Sequence, residues 1–173
     1  RARRAGRLLA VGHLLLHHPA MPHLKRFVAD RRSGPVLYIY GQRSNIGRLR
    51  DDEGALISLA PHDISVMAHL LGEWPVSACA HARRCVQRSM EDIVFLTLTF
   101  ASGAIGQAQL SWLEPLKVRR ISVVARSGMA VFDDMLPTGK VAVHRVIEGP
   151  GSQRRPDPVP VLPRLKAVEP LKA

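Results

Sequence analysis

The sequence predicts an α+β domain: a largely antiparallel sheet with helices packed on one face. Two observations carry that reading. Segments with helical apolar spacing come early, at 20–32 and 54–72, and after residue 72 the pattern changes to period two and holds to residue 132. The strands marked this way are joined by turn signals such as Ala101-Ser102-Gly103 and Arg126-Ser127-Gly128, links too short for a crossover, which implies an antiparallel meander.

Taken in order, Arg7 to Gly12 (RLLAVG) is a short apolar run suited to a buried strand. In 20–32, Leu24, Phe27 and Val28 recur at helical spacing and charged residues take the other face, until Ser33-Gly34-Pro35 stops the helix. Residues 36–42 (VLYIYGQ) are β-branched and aromatic, hence a strand, which runs into the polar segment RSNIGRLRDDEG. Strands follow at 76–86, 93–100, 104–112, 118–125 and 129–132. In the second of these, Val94, Leu96, Leu98 and Phe100 share a face opposite Thr97 and Thr99; in the third, Gln107, Gln109 and Ser111 oppose Ala108, Leu110 and Trp112. One sheet face therefore packs on helices and the other is polar enough for water or a second subunit. Beyond Glu148 the chain is Pro-rich and basic and reads as an extended tail.

Length and composition narrow the function classes. The 173 residues fit one domain that buries roughly two thirds of the surface its unfolded chain exposes. Two cysteines argue against a disulfide scaffold and suit a reducing, cytoplasmic compartment. The net charge of +11 raises a polyanion as partner, but the arginines are scattered and aromatics make up only 5% of the residues. Base stacking then has few platforms, so the charge reads as an arginine-rich solvated surface rather than a nucleic-acid site. The basic, apolar opening imitates a signal peptide, yet Gly12 and His13 break the run and no small-residue cleavage site follows. No apolar stretch approaches the ~20 residues that span a bilayer. No metal site is expected either. Cys79, His81 and Cys85 share a strand parity, but His81 and Cys85 would lie roughly 13 Å apart at the usual rise, too far to chelate one ion.

Two places have residues suited to chemistry. In the second helical segment Pro61 fits a first helical position and Asp63 the first turn, which sets His62 at the positive end of the helix dipole. There the imidazole stays neutral and can accept a proton from a substrate hydroxyl; on the residues alone a histidine that merely caps or packs is the more ordinary reading, and catalysis the minority one. At the end of the first strand after the turn, Arg43 and Arg48 could fork onto a carboxylate or phosphate and Asn45 could bond sugar hydroxyls, or the segment is an exposed polar loop.

The phrases VGHLLLHHPAMPHLK, SGPVLYIYGQRSNIGR, APHDISVMAHLLGEWP and LSWLEPLKVRRISVVARSGMAVFDD, in that order from Leu8 to Asp134, resemble the substrate domain of the glucose-fructose oxidoreductase, inositol dehydrogenase and rhizopine-catabolism family (Gfo/Idh/MocA). The resemblance implies a substrate-binding and oligomerisation domain over 16–147. It further implies that 1–15 is a remnant of the last Rossmann strand with its connection, and that 148–173 is a tail which the family continues into another helix. It implies NAD or NADP, bound mainly by an N-terminal Rossmann domain not contained in this sequence, and a sugar or sugar-nucleotide substrate. His62 takes the place of the family's catalytic histidine. Ser58 stands four residues before it, where the family usually has Asp, and with Arg43 and Asn45 it most resembles the branch oxidising C3 of UDP-N-acetylglucosamine-type sugars. The expectation is a nicotinamide-dependent sugar oxidoreductase, inactive as this segment alone, with substrate held by Arg43, Asn45, Arg48 and Ser58 and a homo-oligomer formed through the open sheet face. The alternative is a non-catalytic domain that uses that face for association.

Overall fold

A computed structural model describes residues 1–46, 52–151 and 153–165. Eight strands form one sheet: β1 (Val36–Ser44), β2 (Pro75–Arg83), β3 (Ile93–Phe100), β4 (Ile105–Ser111), β5 (Val118–Ala125), β6 (Gly128–Asp133), β7 (Val141–Glu148) and β8 (Arg154–Pro156). Their spatial order is β2-β3-β4-β1-β5-β6-β7-β8. The helices α1 (Met21–Ala29) and α2 (Ala55–Leu71) lie on one face, α2 across β1, β3 and β4 and α1 across β5 and β6. This is the expected α+β class, and the alternation within β3 and β4 is as expected: Val94, Leu96, Leu98, Phe100, Ala108 and Leu110 are buried under the helices while Phe95, Thr97, Thr99 and Gln107 face outward.

The meander expectation needs one correction. β1 is inserted between β4 and β5, parallel to the first and antiparallel to the second. The chain from β4 to β5 must therefore cross the end of β1, and it does so at Asn45, whose N–H donates to the carbonyl of Ser111 (3.1 Å). Short turns fix which neighbours are antiparallel; they do not reveal that an earlier strand fills the gap between two meanders.

The N-terminal segment and β7 differ from the simplest reading. Residues 7–12 join no ladder, and Leu8 and Leu9 are 95% and 82% exposed, because a strand needs neighbours to satisfy its backbone and the sheet offers none there. β7 lies beyond the expected strands: its Val-Ala-Val-His-Arg-Val-Ile run is apolar on both parities, without the period-two alternation that marks a half-buried strand, and most of it is only partly buried. The described part of the tail runs back along β7, through β8 and a bridge from Val161 to Val143.

Helix α2 is tethered at both ends by residues distant in sequence. At its start the Glu91 carbonyl accepts from Ala55 N–H (3.0 Å) and the Glu91 carboxylate accepts from Leu56 N–H (3.0 Å), two of the donors a helix leaves unpaired. At its end Gly72 takes φ 78°, and Lys25 of α1 donates to the carbonyls of His69 and Leu70. Next to Glu91, buried Asp92 gathers the N–H groups of Cys85, Val86 and Gln87 on one oxygen (2.6, 2.7 and 3.2 Å). Burial pushes its carboxyl pKa up, but these donors outweigh that and hold it below the ordinary value. No helix among the described residues is long and apolar enough to cross a membrane.

Replacing Asp92 with alanine should free those three amides and the start of β3 behind them. Hydrogen exchange at Cys85, Val86 and Gln87 should accelerate by about tenfold or more, whereas unchanged protection would show that the carboxylate does not hold the loop.

Candidate functional site

A small cleft of about 110 Å³ opens where the ends of β1 and β4, the start of β5 and the middle of α2 meet. It is lined by Arg43, Ser44, Asn45, Leu59, His62, Ser111 and Arg119. Larger hollows, about 610 Å³ under the tail beside His18 and Lys140 and about 570 Å³ between His13, Trp74 and the end of α2, do not include His62.

The cleft is organised by one ion pair. Arg43 Nε donates to Asp63 Oδ2 at 2.6 Å, with both side chains buried. Strand alternation turns Ile39, Gly41 and Arg43 toward α2, and the helix brings Asp63 down onto the same stretch. The approach is close: a Cβ on Gly41 would lie 2.6 Å from Asp63 Oδ1. That oxygen is buried with no hydrogen-bond partner among the described residues. Burial raises the Asp63 pKa above the usual carboxylate range, while the Arg43 charge and hydrogen bond pull it back.

His62 is held neutral, by a different cause from the one expected. It is the eighth residue of α2, not a first-turn residue, and Pro61 lies inside the helix. The helix starts before Pro61, at Ala55, because Glu91, remote in sequence, supplies the partners for its first N–H groups. Pro61 is tolerated there because its own face is solvent-exposed, as is Ile57, whose carbonyl loses its partner one turn back. The dipole therefore does little to the imidazole. Burial lowers its pKa most, the Arg43 charge adds to this, adjacent Asp63 opposes, and His13 and Arg119 lower it further. Near neutral pH the ring is an acceptor on the wall of the cleft.

Of the residues expected to hold substrate, Arg43 and Asn45 line the cleft with His62. Asn45 is exposed at the rim; Arg43 already has one donor engaged with Asp63. Ser58 lies one helical turn before His62, donates to Glu53 (3.2 Å) and does not line the cleft. Arg48 lies outside the described residues. Among the described residues no group of three His, Cys, Asp or Glu could share a metal ion.

Sequence reasoning missed Arg119 and the pairing role of Asp63. A signal for Arg119 was present: it shares strand parity with Ile121, Val123 and Ala125, all buried, so a charge stands on the inward face of β5.

Comparison with known proteins identifies the family of the fold. Residues 23–131 match the family model described as the GFO/IDH/MocA C-terminal domain. Among solved structures, UDP-N-acetylglucosamine 3-dehydrogenase GnnA from Acidithiobacillus ferrooxidans superposes with a TM-score of 0.75 at 22% identity, over 99% of this chain and 51% of that one. A protein of Magnetospirillum magnetotacticum MS-1 described as an oxidoreductase gives 0.78 at 26% identity, over 99% and 54%. The WlbA dehydrogenase from Bordetella pertussis, in complex with NADH and UDP-GlcNAcA, gives 0.65 at 20% identity, over 76% and 42%. The chain thus spans about half the length of the first two structures. No curated protein matches it.

Removing one partner of the buried pair should be worse than removing both. Arg43→Met, which strands the Asp63 charge, should lower unfolding free energy by about 3–5 kcal/mol, and the double variant Arg43→Met/Asp63→Leu should recover most of it. Equal losses in the single and double variants, read by chemical denaturation, would show that the pair does not lock α2 to β1.

Proposed function

The chain belongs to the Gfo/Idh/MocA oxidoreductase family, whose C-terminal domain it carries, and on that premise we propose that it is the substrate half of a nicotinamide-dependent enzyme acting on a sugar or sugar-nucleotide hydroxyl. The observation that carries this reading is a neutral imidazole on the wall of a cleft flanked by guanidinium groups and an amide. Relatives of the same fold include a UDP-N-acetylglucosamine 3-dehydrogenase and a dehydrogenase complexed with NADH and UDP-GlcNAcA, which supports the substrate class and the cofactor.

The 173 residues hold no Gly-rich dinucleotide loop, so we assign none of them to the cofactor phosphates. A nicotinamide, when bound, supplies hydride acceptance or donation at the sugar carbon; this chain supplies the proton side. A ring nitrogen of His62 accepts the hydroxyl proton and becomes imidazolium, and in the reverse direction it returns that proton to the alkoxide. Arg43 and Arg119 disfavour the imidazolium and so make it a ready proton donor, while Asp63, next in the helix, keeps protonation within reach. Asn45 at the rim offers both donor and acceptor to sugar hydroxyls, Arg48 is assigned to the same segment, and Ser58 acts one turn away on the helix.

The proposed organisation follows: 16–147 as the substrate and oligomer domain, 1–15 as the join to a preceding domain, and 148–173 as the tail. Exposed Leu8, Leu9 and Val11 suit such a join. Association through the open sheet face is supported by Tyr38, Phe95 and Ile105, each about half exposed on its outward side. Free, exposed Cys79 and Cys85 suit a reducing cytoplasm.

In a complete protein containing this domain, His62→Ala should reduce turnover at least about a hundredfold; near-wild-type turnover would refute the assignment. Because the base must be neutral and its pKa is lowered, oxidation should be lost as pH falls through a midpoint below about 6.5, and a limb centred above that value would point to another base.

A further inference from the structure

The register of β1 against β5 sets Arg43 directly opposite Arg119, both on the side facing α2. Like charges directly across a ladder destabilise a sheet, so this pairing needs compensation. Arg43 has it, at 2.6 Å from Asp63. Arg119 has much less. Among the described residues its nearest carboxylate contact, Asp134, is 3.7 Å away, longer than the usual 2.7–2.9 Å of a charge-assisted bond. Asp134 is also shared: Lys140 Nζ sits 2.8 Å from it and His18 Nε2 3.7 Å. Counting Arg43, Arg119 and Lys140 against Asp63 and Asp134, one positive charge is left over among these groups while His18 and His62 are neutral. Arg119 is 44% exposed, so its guanidinium remains within reach of a ligand in the cleft it lines with His62 and Asn45.

Resting on the sugar-oxidoreductase reading above, we propose that the cleft recognises an anionic substituent of the sugar, a carboxylate or a phosphate, within one ring of the hydroxyl on which His62 acts, and that Arg119 is the residue that specifies it. Size supports a single group at this position. About 110 Å³ takes a carboxylate or phosphate with part of a ring, whereas whole small-molecule ligands occupy pockets of roughly 300–1,000 Å³. A guanidinium matches either anion with two parallel donors. An anion there also offsets the like-charge pair, so its binding is felt at His62, on which both arginines act. The other charged and titratable groups acting on that ring are Asp63 and His13.

The test is an NMR titration of the His62 imidazole in the full chain with D-glucuronate, D-glucose 1-phosphate, D-glucose and sodium chloride at equal ionic strength. The proposal expects one of the two anionic sugars to raise the His62 midpoint by roughly one pH unit, and the identity of the effective sugar tells carboxylate from phosphate. Glucose and chloride should not reproduce the shift. Arg119→Gln should weaken the effective anion at least about tenfold, and Arg119→Lys, which keeps the charge and the Asp134 partner but loses the fork, should fall between. If neither anion exceeds glucose or chloride, or if both Arg119 variants bind as the wild type does, the proposal is overturned. Should Arg119→Gln fail to fold, Arg119→Lys decides alone, since unchanged affinity sinks the role of the fork. The reading of His62 as proton acceptor fails separately, on turnover of His62→Ala.

Discussion

The arrangement of this domain's cleft depends on a buried carboxylate meeting a buried guanidinium where no side chain stands between them. Asp63 and Arg43 meet at 2.6 Å over the bare backbone of Gly41. Taking both charges out of water is costly, and their attraction compensates only with good geometry, so the pair is better understood as fixing the seating of α2 on β1 than as a net source of stability. The direct consequence is positional. His62 precedes Asp63 in the helix, so fixing one fixes the other over the strand end where Asn45 and Arg119 stand.

The same pair sets the electrostatics. A histidine beside two arginines would be a poor base if nothing balanced them; a histidine beside an unpaired carboxylate would be charged near neutrality. The observed mixture, with burial foremost, lowers the His62 pKa while Asp63 opposes the change. Neutrality here thus arises from tertiary contacts rather than from the end of a helix. The family match to residues 23–131 and the structurally similar oxidoreductases establish the fold within which these groups are set.

What could be read in the sequence was whatever is local and periodic. Val94 to Phe100 and Ala108 to Leu110 alternate so cleanly that their buried face was evident, and the change of period after Gly72 marked the end of α2. Three things were not legible. Glu91 caps α2 from across the chain, so a helix that looked as though it opened at Pro61 opens before it. Arg119 enters the cleft only because β5 lies next to β1, a neighbour relation that no turn signal announces. The run at 7–12 has strand composition but no ladder to join, since composition specifies a tendency and pairing requires a partner.

The insertion of β1 between two meanders has a bearing on how the molecule acquires its shape. β2, β3 and β4 can pair through contacts close in sequence, as can β5, β6 and β7, and such hairpins close quickly with little loss of chain entropy. β1 joins them only through partners from far along the chain on both sides, so the ladder that unites the halves carries most of the long-range cost of folding. The cleft sits at the end of that ladder. Its chemistry is thus an attribute of the finished sheet, and neither meander alone contains the residues to form it.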